Sequence, residues 1–376
     1  MTRAAVMRSP GHIEVDTFPR PELRDGEVLM RVLLSGICGT DKHTWRGETK
    51  QYAGTAHERD GVFPLICGHE NVGVVEEVGP GGAVAYDGRP LAPGDRIVPG
   101  ANVACGHCRF CLANAPYYFC EHLEDYGNSL GCSEPPHLFG GWAEHMVLLP
   151  GTPIFRVPAE LPDEVAVLTE PMAVTHGLDT ARALTGQSFG ETVCIVGTGP
   201  LGLCHLVKAR LAGAGKVIAI DRYDSRLEFA RELGATLTLN ADTTEPAERL
   251  SLVHEHTGEA GADVVVDCSG VPETFPECLR LVRFGGVVIE AGAFVDLGPV
   301  EMNPNDLCTR NLSVLGIGGE TAQSYAPALE LMARNLGTIP LDRIVTHRFG
   351  LADAAAALDL AQTDGAVKVA IDPGLA

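Results

Sequence analysis

The stretch Thr192-Val-Cys-Ile-Val-Gly197-Thr-Gly199-Pro-Leu-Gly202 decides the fold of this 376-residue chain. Thr192–Val196 is a short, mostly β-branched apolar run, which reads as a strand buried on both faces. Glycines then punctuate a tight turn. Pro200–Ala212 reads as a helix with proline in its first turn, where the missing N–H costs nothing. Outward from this point the pattern repeats. Lys216–Ile220 is a strand and Ser225–Leu233 a helix. Asp263–Cys268 is a strand, Pro272–Leu281 a helix and Gly286–Ala291 a strand. Such alternation predicts a parallel sheet covered by helices on both faces. Upstream the texture differs. Short β-like runs at Val28–Leu34, Asn71–Val78 and Arg96–Val98 are separated by Gly/Pro and Gly-Asp turns, and Pro162 to Leu184 reads as helical. Downstream, helices near Tyr325–Asn335 and Ala352–Gln362 precede a final strand, Val367–Ile371. The fold class is therefore α/β: a doubly wound parallel sheet joined to a second, mostly β domain. The expected boundaries are residues 1–157 for the β domain and 158–305 for the parallel sheet. Residues 306–376 form a return that completes both.

The turn has the form expected of a dinucleotide-binding (Rossmann) site. Gly197 allows the tight turn, Gly199 lets a pyrophosphate approach the backbone, and Gly202 lets the helix pack closely on the strand. Pro200 and Leu201 lie in the helix's first turn, where free N–H groups and the helix dipole favour an anion. Asp221 ends the next strand, at the interval expected of the acid that binds the adenosine ribose. A carboxylate there repels a 2′-phosphate, so NAD is favoured over NADP. Arg222 and Arg226 pull the other way, because either can meet a phosphate or stack on adenine.

The formal net charge of −21 repels phosphate backbones and excludes nucleic acid as a natural partner. Met1 to Val15 interleaves charged residues and glycine where a signal peptide needs an apolar core. No apolar run reaches the roughly 18 residues of a membrane span. The expectation is a cytoplasmic protein without a membrane partner, in which clustered cysteines mean metal rather than disulfides.

Cys105, Cys108, Cys111 and Cys120 form a C-x2-C-x2-C-x8-C cluster in a turn-rich segment. Four thiolates at this spacing suit a closed, tetrahedral structural zinc site, with an iron–sulfur cluster as the alternative. A second set has mixed chemistry. Cys38 lies in Gly36-Ile-Cys-Gly-Thr-Asp41 and His69 in Gly68-His-Glu70. A Cys, a His and a carboxylate with an open fourth position describe a catalytic zinc site. Glu170, in Thr169-Glu-Pro171, is the choice for the third ligand. Glu70 competes for that role, or stands behind the ligands as a hydrogen-bonding partner. The remaining cysteines, Cys67, Cys132, Cys194, Cys204, Cys268, Cys278 and Cys308, read as small core side chains.

These motifs, together with Phe139-Gly-Gly-Trp-Ala143 and Val266-Asp-Cys-Ser-Gly270, resemble the zinc-containing medium-chain dehydrogenase/reductase family nearly end to end. The resemblance implies a GroES-like catalytic domain, a catalytic zinc on Cys38 and His69, and Glu70 as a ligand or near-ligand. It implies that Ser269 contacts the cofactor. Glu170 places the chain nearer the polyol, threonine and glucose dehydrogenase branches than the branch with Cys at that position. It also implies a hydroxyl-to-imidazole proton relay at Thr40 and His43. Two departures stand out: the last gap of the cysteine cluster is one residue longer than usual, and Trp45 to Phe63 is longer than in many members. The latter stretch would lie near the active-site mouth.

The function so predicted is hydride transfer between NAD(H) and a secondary alcohol or its ketone, namely a polyol, sugar, cyclitol or amino-alcohol. Two alternatives stand beside it: a primary alcohol or aldehyde dehydrogenase on the same fold, and a non-catalytic NAD-binding protein. By the same resemblance the chain is expected to form a homodimer or homotetramer, with the strand near Asn311–Ile317 pairing across the interface.

Overall fold

The computed structural model describes residues 1–55, 57–186 and 190–375. It divides into two compact units, Met1–Ala173 with Thr321–Ala376, and Val174–Glu320.

The second unit holds a six-stranded parallel sheet. Its order is Leu237–Asn240, Lys216–Asp221, Thr192–Val196, Ala262–Asp267, Val282–Glu290 and Ser313–Gly316. The order reverses between Thr192–Val196 and Ala262–Asp267, and that reversal opens a crevice at the carboxyl ends of the strands. Helices cover the sheet. Val264, Val265 and Val266 are each 1% exposed or less, because a strand with helices on both sides has no wet face. Each such valine contributes about 1.5–3 kcal/mol by leaving water, so a charge introduced at Val265 would unfold this layer.

The first unit is built on a seven-stranded sheet, five of whose members are Arg96–Pro99, Glu70–Val78, Val28–Gly36, Lys368–Ile371 and Val345–Phe349. Glu70–Val78 pairs antiparallel with Val28–Gly36 and sets Gly36 opposite Glu70. Lys368–Ile371 pairs with the same end of Val28–Gly36, setting Ala370 opposite Gly36. The chain's return thus delivers Lys368 beside the Gly68-His-Glu70 motif. A cluster around Trp142, Leu65, Ile66 and Val369 closes the interior behind it.

Several expectations shift. The boundaries expected at 157/158 and 305/306 differ from the division at Ala173 and Glu320. Residues 158–173 belong with the first unit, where Asp163–Ala166 packs near Val28–Gly36. Ser313–Gly316, which lies in the expected C-terminal return, is the edge strand of the parallel sheet. Pro162 to Leu184 is not one helix but three short ones, Asp163–Ala166, Thr169–Val174 and Gly177–Thr185. Pro171 has no N–H to give a preceding turn, which restarts the helix rather than extending it. The strand Leu237–Asn240 and the helix Pro246–Thr257 had no clear sequence signal. Cys308 is exposed on the helix Pro304–Arg310, not a core side chain, because that short helix buries none of its residues. Among the described residues no helix is long and apolar enough to cross a membrane.

Candidate active site and metal centres

Cys38 caps the helix Gly39–Arg46. Its own N–H donates to Asp41 Oδ2 at 2.7 Å, and its side chain accepts from the Asp41 backbone N–H in return. A helix N-terminus favours negative charge, so this position suits a thiolate. His69 follows Gly68 at the end of a turn, and Glu70 opens the strand Glu70–Val78. One donor atom from each of Cys38, His69 and Glu70 lies within 4.8 Å of the other two. Residues far apart in the chain meet here because Val28–Gly36 and Glu70–Val78 are sheet neighbours.

Burial opposes charge on His69, yet the Cys38 sulfur beside it, with Asp41 and Glu170, lifts its pKa well above the ordinary histidine value. The pocket therefore gathers anionic donors around His69, which is the chemistry of a metal site. Glu170 lies outside the 4.8 Å group but is 8% exposed and contributes to that field. Glu70 forms an ion pair with Lys368, and the two residues are 2% and 1% exposed. Lys368 Nζ also donates to the Ile37 carbonyl at 3.0 Å. Burial works against the ammonium, but Glu70 and the Cys38 sulfur outweigh it and raise its pKa. Neither Lys368 nor Asp41 was singled out from sequence. Lys368 gave no signal, standing far down the chain from every motif; Asp41 sat inside one, three residues from Cys38.

Thr40 Oγ1 lies 4.0 Å from Cys38 Sγ. The His43 ring is held from one side, with Nδ1 2.6 Å from Glu48 Oε2, and Glu48 also accepts from Arg46 Nη2 at 2.7 Å. Burial lowers the His43 pKa.

The four lobe cysteines also form one group within 4.8 Å. All are free thiols. Sulfurs about 2.3 Å from a central ion at tetrahedral angles stand about 3.8 Å apart. The Cys108–Cys111 and Cys105–Cys111 separations, 3.5 and 4.0 Å, bracket that value. Backbone N–H groups of Cys111 and Glu121 bring the Cys108 pKa down to about 6, which prepares it as a thiolate. The donor set fits zinc.

In the second unit the fingerprint has the predicted context. Gly197 has φ +86°, and a Cβ there would stand 2.7 Å from the Ser269 backbone. A Cβ on Gly202 would collide with the Gly197 carbonyl oxygen. Above Gly199, by contrast, the nearest atom to a built Cβ is Arg226 Nη1 at 4.0 Å, so a phosphate could approach the backbone. Pro200 begins the helix Pro200–Leu211, and the Leu201 carbonyl pairs with His205 Nδ1 at 3.0 Å. Asp221 is occupied more than its predicted role suggests. Oδ2 accepts from Thr198 N at 2.6 Å and Thr198 Oγ1 at 2.9 Å, and Oδ1 from Tyr223 N at 3.0 Å. A carboxylate has about four acceptor positions, which leaves Oδ1 for one ribose hydroxyl. Arg222 and Arg226 stand over the Tyr223 ring at 5.4 and 4.8 Å, and Arg222 Nε lies 3.4 Å from Asp242. Ser269 is itself held: its Oγ donates to Asp267 Oδ1 at 2.7 Å.

Comparison with known proteins agrees with this geometry. Residues 24–159 match the alcohol dehydrogenase GroES-like domain, and residues 200–334 the zinc-binding dehydrogenase domain. The chain is 32% identical over 380 residues to 5-exo-hydroxycamphor dehydrogenase of Pseudomonas putida, covering 99% of each. The structure of an alcohol dehydrogenase from Thermotoga maritima superposes with a TM-score of 0.88 at 31% identity, covering 99% of both chains. A zinc-binding dehydrogenase from Sinorhizobium meliloti, solved with NADP, gives 0.83 at 31% identity over 99% of each chain. The chain belongs to the zinc-containing medium-chain dehydrogenase/reductase family and is an NAD(P)-linked alcohol dehydrogenase.

Proposed function

We propose that the protein interconverts a secondary alcohol and its ketone, with a polyol, sugar, cyclitol or amino-alcohol as substrate and NAD preferred over NADP. The observation that carries this reading is the convergence of Cys38, His69 and Glu70 within 4.8 Å in a negatively charged pocket, with Glu170 close behind. A glutamate at position 170 goes with the polyol-like branches, and the relative acting on hydroxycamphor supports a ring or chain alcohol.

Cys38 and His69 would hold the catalytic zinc with a glutamate, and the four lobe cysteines a structural one. When bound, zinc supplies Lewis acidity at the substrate oxygen and the nicotinamide supplies the hydride-accepting carbon. Lys368 neutralises Glu70 through Oε2, and the carboxylate's other oxygen could still face the ion. Thr40 stands beside the Cys38 sulfur, where its hydroxyl can pass a proton from the substrate. His43 Nδ1 lies 2.6 Å from Glu48 Oε2 and 2.9 Å from Arg46 Nη2; in the tautomer that gives the Nδ1 proton to Glu48, Nε2 is the base that takes the substrate proton toward solvent. Gly197, Gly199, Pro200, Leu201 and Gly202 would bind the pyrophosphate, Asp221 one ribose hydroxyl, and Arg222 and Arg226 the adenine face. Asp267 positions Ser269 for its cofactor contact. The strand Ser313–Gly316 ends the sheet with Val314 42% exposed, which suits pairing with a second copy of the chain.

A spectrophotometric screen of polyols, sugars, cyclitols, amino-alcohols and primary alcohols with NAD and NADP tests the reading. Turnover is expected with a secondary alcohol and NAD; turnover confined to primary alcohols would overturn it. Light scattering after size exclusion should give a dimer or tetramer.

A further inference from the structure

The four-cysteine lobe hangs from a two-stranded ribbon in which Asn102 faces Asp125 and Val103 faces Glu124. Cys105 and Cys120 stand just beyond that pairing on either strand. An ion that gathers the four sulfurs therefore also holds the ribbon in register.

The outgoing strand of the ribbon leads directly to the catalytic ligand His69. Asp125 is 7% exposed and forms an ion pair with Arg59. Asn128 donates to Asp125 Oδ2 at 3.2 Å and accepts from Gln51 Nε2 at 2.8 Å. Gln51 and Arg59 are themselves joined through their backbones, N to O, at 3.0 and 3.1 Å. The long Trp45 to Phe63 stretch is thus tied at two points to the root of the lobe. Between Asp125 and Asn128 runs Gly127, with φ +64°. Its backbone presses on that of Gly68: a Cβ at Gly127 would stand 2.6 Å from Gly68 N and 2.8 Å from its carbonyl carbon. The Gly68 carbonyl oxygen accepts from Gly141 N at 2.8 Å and Asn71 Nδ2 at 3.1 Å, so Gly68 has no room to shift independently. Gly68 immediately precedes His69. A metal ligand displaced by a few tenths of an ångström leaves the bonding range.

We propose that the four-cysteine lobe positions the catalytic metal centre: an ion in the lobe, acting through Asp125–Gly127 on Gly68, fixes His69 and raises the affinity of the Cys38/His69/Glu70 site for its own ion. This rests on the two-metal reading above. Coupling between two sites is reciprocal, and couplings of this kind change affinity by roughly 5- to 150-fold.

The test is a zinc titration of the metal-stripped protein against a chromophoric chelator, repeated with cobalt, whose absorption bands separate an all-sulfur site from a mixed one. Cys111→Ser removes a lobe ligand. Gly127→Ala leaves every metal ligand in place; its Cβ presses on Gly68 and its φ of +64° strains the same turn, so it disturbs the link between lobe and His69 without touching a ligand. Each should weaken the mixed site about tenfold, with the Gly127→Ala lobe still filled. His69→Ala, which disables the mixed site, should weaken the lobe by the factor that Cys111→Ser imposes in the other direction. If Cys111→Ser does not fold, Gly127→Ala and the reciprocal His69→Ala measurement decide. Mixed-site affinity within twofold of the parent in the folded variants overturns the inference while leaving both metal sites intact. A parent protein that binds zinc at the lobe alone overturns the two-metal reading, and the inference with it.

Discussion

Replacing Lys368 with methionine should make the metal-free protein markedly less stable. Lys368 and Glu70 are 1% and 2% exposed and form an ion pair. The ammonium also satisfies the Ile37 carbonyl at 3.0 Å. Methionine retains most of the stem's volume but leaves Glu70 without a countercharge in a pocket already crowded by Cys38, Asp41 and Glu170. Removing one member of a buried pair costs about 3–5 kcal/mol, because the remaining charge is desolvated and uncompensated. Glu70→Gln in the same background should recover most of that loss, since a neutral pair of similar shape has little desolvation cost. Zinc should recover part of it as well, by giving the freed carboxylate a cation. The assay is equilibrium urea unfolding of the single and double variants, with and without zinc, following the transition of the unit that contains the site. If Lys368→Met alone unfolds at the urea concentration of the parent, the pair is not the countercharge for Glu70 and the argument fails.

His43→Gln should reduce turnover about tenfold at acidic pH with recovery as pH rises, since hydroxide then replaces the lost base; a pH–rate profile identical to the parent's removes His43 from the proton path. Asp221→Ser, which lifts the carboxylate that opposes a 2′-phosphate beside Arg222 and Arg226, should move the NADP-to-NAD ratio of kcat/KM upward by about tenfold or more, and an unchanged ratio would relocate cofactor choice elsewhere. Burial and the neighbouring Asp267 raise the Glu290 pKa to about 7. In the folded state Glu290 therefore holds its proton where the unfolded chain has released it, so its contribution to stability falls as pH rises from the ordinary carboxylate value to about 7. Glu290→Gln, whose Oε1 can still accept from Gly292 N and Ala293 N, should flatten that decline in a melting-temperature series across this range; a parent-like slope would show that another group titrates there.

Much of this protein is determined by local pattern. Thr192–Val196, Lys216–Asp221 and Ala262–Asp267 appear where their apolar runs predict, because strands buried on both faces announce themselves by composition alone. The glycine fingerprint and the cysteine lobe are legible for a related reason: their geometry is made by residues a few positions apart, so spacing carries the shape. The helices within Pro162 to Leu184 were read as one because apolar periodicity does not register where Pro171 interrupts the hydrogen-bond ladder. The proposed catalytic centre stands at the opposite extreme. Cys38, His69 and Glu70 meet only because Val28–Gly36 and Glu70–Val78 lie side by side, and Lys368 joins them only because the chain returns along the other edge of Val28–Gly36. Resemblance could pair the ligands, but nothing local could place a lysine against Glu70 or press Gly127 on Gly68. Those contacts depend on strand register and on close approach of distant backbone. Only the folded chain decides them, since each is a statement about distance in space between residues whose separation along the sequence says nothing of it.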